Sequence, residues 1–233
     1  MYELPASVRL ALWATHAIAA DRPLSEAIGA ALPDVDAVEG GLPRLELWRD
    51  LGERIVCVDL PRPGVHGGLL PPGGPATQAA IEVGECLFVP SLGGVLVPRL
   101  EYYGPAGDEG LKLTLEPHDS DPIPIHRLEA LALADIDRRF REALLAHVGV
   151  LESLHIAPFL GSSARERVDE RLDGARWALP PGLHPRAMRI ITTAGLVVAA
   201  LDEALTTSGG LDAGRLGLVD NDPCPDPSAT DHQ

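Results

Sequence analysis

The chain reads as an α+β protein: a small antiparallel β-meander flanked by N-terminal helices and a C-terminal three-helix layer. Three observations lead there. Ser7 to Ala20 contains no Gly or Pro, compact β-branched and alternating runs gather between Ile55 and Pro117, and helical spacing returns from Asp135 onward. Aromatics make up 4% of a chain that is 45% hydrophobic, so its core must be built from Leu, Val, Ile and Ala. That composition suits helices more than a large sandwich. At 233 residues one globular unit is the default. We expect it over residues 1–206, with 207–233 a disordered acidic tail.

Pro5 stands at a first-turn position and Asp21-Arg22-Pro23 stops the first helix. A second short helix, Leu24 to Ala31, ends at Leu32-Pro33. Leu42 to Arg54 carries apolar residues at 42, 45, 48 and 51, which predicts a third helix. The period then changes. Ile55 to Leu60, Cys86 to Pro90, Val95 to Tyr103 and Leu111 to Pro117 read as strands. Gly93-Gly94 and the GPAGDEG turn join the last three into a meander, because glycine reaches the positive φ of a tight hairpin, and Ile55 to Leu60 joins as a fourth strand. Pro90 and Pro98 predict a short or irregular sheet whose edges cannot donate everywhere. Pro61 to Pro75, dense in Gly and Pro, is a connector or a functional cover.

The C-terminal half returns to helix. Asp135 to His155 carries an apolar stripe through Ile136, Phe140, Leu144, Val148 and Leu151. Ser163 with Glu166 forms a capping box for a helix to Trp177. Arg186 to Thr206 is apolar nearly all round and predicts a central, buried helix.

Composition excludes several functions. A net charge of −15 repels phosphate backbones and anionic lipid, so neither nucleic acid nor a membrane surface is an expected partner. Cys57, Cys86 and Cys224 form no CxxC pair and read as small buried thiols, not as a zinc ribbon or a disulfide scaffold. MYELPASVRL shows no secretory pattern, and the charge-free run Ile190 to Leu201 is too short to span a bilayer. We expect a cytoplasmic protein.

Candidate chemistry gathers in two places. HDSDPIPIHRLE, from His118 to Glu129, holds residue types that ligate metals, but its spacing matches no zinc motif and its prolines force extended backbone. Asx-type turns explain Asp119 and Asp121, so the stretch reads as a polar connection into a helix. Its catalytic candidates are His126 and Glu129, as an acid/base pair. The second place is ARWALPPGLHPRAMR, where Arg176, Trp177 and Arg186 surround a turn between helices. Planar guanidinium groups there, with Arg127 and with Arg49 of the Trp48-Arg49-Asp50 triplet, form the ligand-binding set for a carboxylate or phosphate. His147 and His155 lie eight residues apart on one helix, about 12 Å, too far to share one ion. Ser91 lacks the preceding glycine of a nucleophile elbow, and the loop at 64–74 has neither phosphate-loop nor GxGxxG spacing. No metal and no cofactor is expected.

LELWRDLGER, GECLFVPSLGG and RWALPPGL together resemble a set of uncharacterised actinobacterial proteins, over most of residues 1–206. The skew of 18 Arg to a single Lys fits the same GC-rich origin. That resemblance implies no catalytic residue. The expected function is a non-catalytic interaction or regulatory module engaging a protein partner or a second copy of itself. The alternative is a small-anion-binding protein or hydrolase using a His/Arg/Glu pocket under the 61–75 loop.

Overall fold

The computed structural model describes residues 4–64, 68–105, 107–129, 132–153, 179–198 and 201. In order these form α1 (Ala6–Ala19), α2 (Leu24–Ala31), β1 (Ala37–Gly40), α3 (Leu42–Asp50), β2 (Cys57–Asp59), α4 (Pro75–Val83), β3 (Cys86–Phe88), β4 (Val95–Tyr103), β5 (Gly110–His118), α5 (Ile125–Glu129) and α6 (Leu133–Ser153). A further helix, α7, covers 185–198. The architecture is α+β, with a five-stranded mixed sheet in the order β1-β5-β4-β3-β2.

The meander β3-β4-β5 and its neighbour β2 are antiparallel throughout, as the alternating sequence predicts. Gly93 (φ +70°) makes the β3–β4 turn close against the chain after β5: a Cβ there would lie 2.3 Å from the Ser120 carbonyl. Pro98 is tolerated inside β4 because the β3 ladder pairs only Val95 and Leu96. At Pro98 the strand has a neighbour on one side, Leu115 of β5.

Two elements were not expected. β1 pairs parallel with β5, from Ala37 opposite Lys112 to Gly40 opposite Leu115. Asp36 starts this pairing by donating its amide to the Leu111 carbonyl (2.9 Å) and accepting the Leu111 amide on Oδ2 (2.7 Å). The chain then turns straight into α3 at Gly41 (φ +70°), where a Cβ would meet the Leu115 side chain at 2.5 Å. The other is α4, which follows the Gly/Pro stretch with Pro75 in its first turn.

Alternate side chains leave a strand on opposite faces, so one sheet supports two cores. Leu87, Val89, Leu96, Leu113 and Leu115 pack beneath α1, α2 and α3 against Leu10, Ala14, Leu24, Leu45 and Trp48. On the other face Cys86, Phe88, Val95 and Val97 meet Ala76, Ala79 and Ala80 of α4, with Leu70 and Ile123 closing the cluster. Where α4 ends its cover, that face turns ionic: Lys112 lies between Glu39 and Glu101, and Arg99 reaches Glu116 and Glu82.

One expectation is corrected. Within 185–198 only Gly195 is buried, and Val198 is 48% exposed. Helix α7 therefore lies on the surface instead of at the centre; a charge-free composition records apolarity but not where a neighbour stands. The helix expected over Ser163 to Trp177, His155, and the tail with Cys224 lie outside the described residues. Among the described residues, no helix is long and apolar enough to cross a membrane.

Candidate functional site

A cavity of about 620 Å³ opens on the α4 side of the sheet, between β2, the loop after it, α4 and α5. Its wall includes Asp59, Arg62, Leu70, Thr77, Ile81 and Arg127. Asp59 is the last residue of β2, held in register opposite Cys86. The Asp59 Oδ2 accepts the amides of Leu69 (2.7 Å) and Leu70 (3.3 Å). Arg127, projecting from α5, donates to the carbonyls of Leu69 (Nη1, 3.1 Å) and Gly68 (Nη2, 2.7 Å). An acid from β2 and a base from α5 thus take the donor and acceptor sides of the same three residues. The Thr77 hydroxyl, from the first turn of α4, donates to the Pro71 carbonyl. In its described part the Gly/Pro stretch is tied at 68–71 beside a hollow by groups that also line it.

The described lining residues carry one carboxylate and two guanidinium groups. Arg62 is exposed and has no hydrogen-bond or ion-pair partner among the described residues. In a chain of net charge −15, this local excess of one positive charge stands out. The thiols of Cys57 and Cys86 are held toward their protonated form. Burial, with Asp59 and Glu85 adding to it, pushes Cys86 up to about 12, and burial with Glu53 nearby raises Cys57.

Arg127, alone of the expected ligand-binding residues that are described, reaches this cavity. Arg49 is a half-buried group on α3, in the layer on the opposite face of the sheet, and pairs with its neighbour Asp50 at 3.0 Å. Arg186, on α7, lies 3.5 Å from Asp137 of α6. Arg176 and Trp177 lie outside the described residues. His126 shares α5 with Arg127 but is exposed and absent from the wall, and Glu129 ends that helix.

The HDSD stretch behaves as a connection. Asp119 is 99% exposed beside Arg44, and the Ser120 carbonyl accepts the Gly94 amide (2.9 Å). His118 ends β5 with Nε2 3.7 Å from Glu116. Among the described residues, no three His, Cys, Asp or Glu side chains gather as metal ligands would. Asp59 was missed by sequence reasoning. Its one signal was an acid ending a β-branched run just before a Gly/Pro loop.

Two family models match the chain: Rv1486c-like protein, N-terminal domain, over residues 7–129, and Rv1486c-like protein, C-terminal domain, over residues 134–220. No curated protein and no solved structure matches it.

Proposed function

The chain belongs to the Rv1486c-like protein family, and for it we propose a non-catalytic, regulatory binding module that holds a small organic anion in the cavity between β2, α4 and α5. One observation carries this reading: Arg62 and Arg127 line the same hollow as Asp59, the one carboxylate among its described lining residues, within walls supplied largely by Leu60, Leu70, Pro72 and Ile81. Ligand sites of roughly 300–1,000 Å³ combine apolar walls with a few placed polar groups. Apolar walls also lower the local dielectric, which strengthens attraction between a guanidinium and an incoming carboxylate. Groups suited to proton transfer are already engaged: Asp59 accepts two amides and Thr77 donates to Pro71. Holding a ligand beside the 68–71 segment uses the remaining donors of both arginines.

A thermal-shift panel of small mono- and dicarboxylates on the full chain tests it. The expected result is stabilisation by one member, about 2.7 kcal/mol at a hundred times its dissociation constant. Ile81→Trp, which fills the hollow, is expected to abolish that response, and Arg62→Gln to weaken binding by about tenfold, or 1.4 kcal/mol. A response that survives Ile81→Trp, or a wild-type protein indifferent to the whole panel, refutes the reading.

A second reading has its own support. Leu145 is 72% and Val148 49% exposed on α6, and on the α7 side Val198 is 48% and Leu201 54% exposed. Apolar side chains on adjacent helices favour engagement with a protein partner, in the first instance a second copy of the chain. The free thiols Cys57 and Cys86 support a reducing cytoplasm, and the arginine-for-lysine skew supports an actinobacterial source.

A further inference from the structure

Away from the cavity, one carboxylate on α6 collects three guanidinium groups. Asp137 is 6% exposed. Arg141, one turn along the same helix, reaches it side-on, with Nε 3.1 Å from Oδ1 and Nη2 on Oδ2. From α7, Arg189 Nη2 lies 3.3 Å and Arg186 Nε 3.5 Å from the same Oδ2. The three arginine side chains are 43–59% exposed.

A single arginine would suffice to neutralise one buried carboxylate and tie α6 to α7. Among the described residues, three leave the cluster with two positive charges in excess, at separations where guanidinium groups repel. Asp135 and Glu142 are both held by Arg138, a trio that carries one net negative charge but makes no ion pair with Arg141, Arg186 or Arg189. Among the described residues no second carboxylate lies within ion-pair distance of Arg141, Arg186 or Arg189. Each of the three also retains unused donors. Arg141 presents only Nε and Nη2 to Asp137, Arg186 its Nε and Arg189 its Nη2, and the remaining amino edges have no partner among the described residues.

We propose that Arg141, Arg186 and Arg189 form a binding site for a phosphoryl group, with Asp137 as the positioning residue that fixes their planes. A phosphoryl group carries close to two negative charges at neutral pH, matching the excess of two. Its three oxygens suit planar forks converging from different directions better than a monocarboxylate does. The site is independent of the cavity beside the 68–71 segment. It rests on a different pair of helices and on different residues.

Isothermal titration of the full chain at low ionic strength provides the test, with inorganic phosphate in one arm and a phosphoserine peptide beside its unphosphorylated form in the other. Inorganic phosphate is expected to bind at millimolar concentration or tighter. Arg189→Gln and Arg186→Gln should each weaken binding about tenfold. Arg138→Gln, on the same helix but occupied by Asp135 and Glu142, should leave it unchanged. If the phosphopeptide binds more tightly than inorganic phosphate and the unphosphorylated peptide does not bind, the group is carried by a protein. Equal or weaker peptide binding assigns it to a free phosphate or small ester. Circular dichroism confirms that each variant is folded, and Arg186→Gln, which removes the longest of the three contacts, keeps the test open if Arg189→Gln is not. Absence of phosphate binding to the folded protein, or an Arg138→Gln loss equal to that of Arg186→Gln, overturns the site.

Discussion

Glu85 lies between α4 and β3, yet its Oε2 reaches the start of α1, where it accepts the Ser7 amide (2.8 Å) and the Ser7 hydroxyl (2.7 Å) across 78 residues of sequence. Pro5 precedes α1 and offers no capping side chain, so a carboxylate from a distant part of the chain satisfies a first-turn amide. Burial is the main influence on this group. It raises the Glu85 carboxyl above its ordinary 4.5, against the opposing pull of the two Ser7 bonds and of Arg9. With the folded value above the unfolded one, the native chain holds this proton more tightly. The associated stability is complete below the unfolded value and is lost as pH rises through the folded one. Glu85→Gln keeps an oxygen acceptor but cannot ionise. Urea titrations are therefore expected to show the variant gaining on the parent as pH climbs from 4.5 toward neutrality. A difference between the two proteins that stays constant over that range contradicts the assignment.

At the level of elements, what could be read depended on whether local pattern or distant packing decided the outcome. Leu111 to Pro117 alternates because one face of β5 is buried and the other is not, Val95 to Tyr103 is a compact apolar run that ends exposed, and α1 is uninterrupted by Gly or Pro. Four residues of β1 carry no such period; they become a strand because β5 offers an open edge and Asp36 locks the register. The alanines of α4 matter only once Phe88 and Val97 lie opposite them. The site divides the same way. Arg127 was visible as one charge in a polar cluster, whereas Asp59 gains meaning only when the loop folds back over it. That fold-back is testable. Asp59→Ala removes the acceptor for two amides, at a cost of roughly 1–3 kcal/mol for groups left unsatisfied. Hydrogen exchange at Leu69 and Leu70 is expected to accelerate by about tenfold to a hundredfold, while amides of the β4–β5 ladder keep their protection. Unchanged exchange at those two positions would remove Asp59 from its role as anchor.

At the scale of the whole molecule, the exposed apolar residues of α6 and the net charge act against each other. Two copies each carrying −15 repel over long range, whereas Leu145 and Val148 gain by leaving water together. Sedimentation of the full chain is expected to show self-association that strengthens with added salt. Leu145→Glu should weaken it by about tenfold or more. A monomer at every concentration and salt level would retire the second reading and leave the anion-binding one intact.

The parallel β1–β5 pairing also sets a schedule for synthesis. A ribosome releases the N-terminal end first, so β1 emerges 75 residues ahead of the stretch that receives it. Until then the apolar undersides of α1, α2 and α3 have no Leu113 or Leu115 to rest on. At about 5–20 residues per second that wait lasts roughly 4–15 s. During those seconds the nascent chain is a natural client for a chaperone, and a slowdown in translation before residue 110 would prolong its vulnerability.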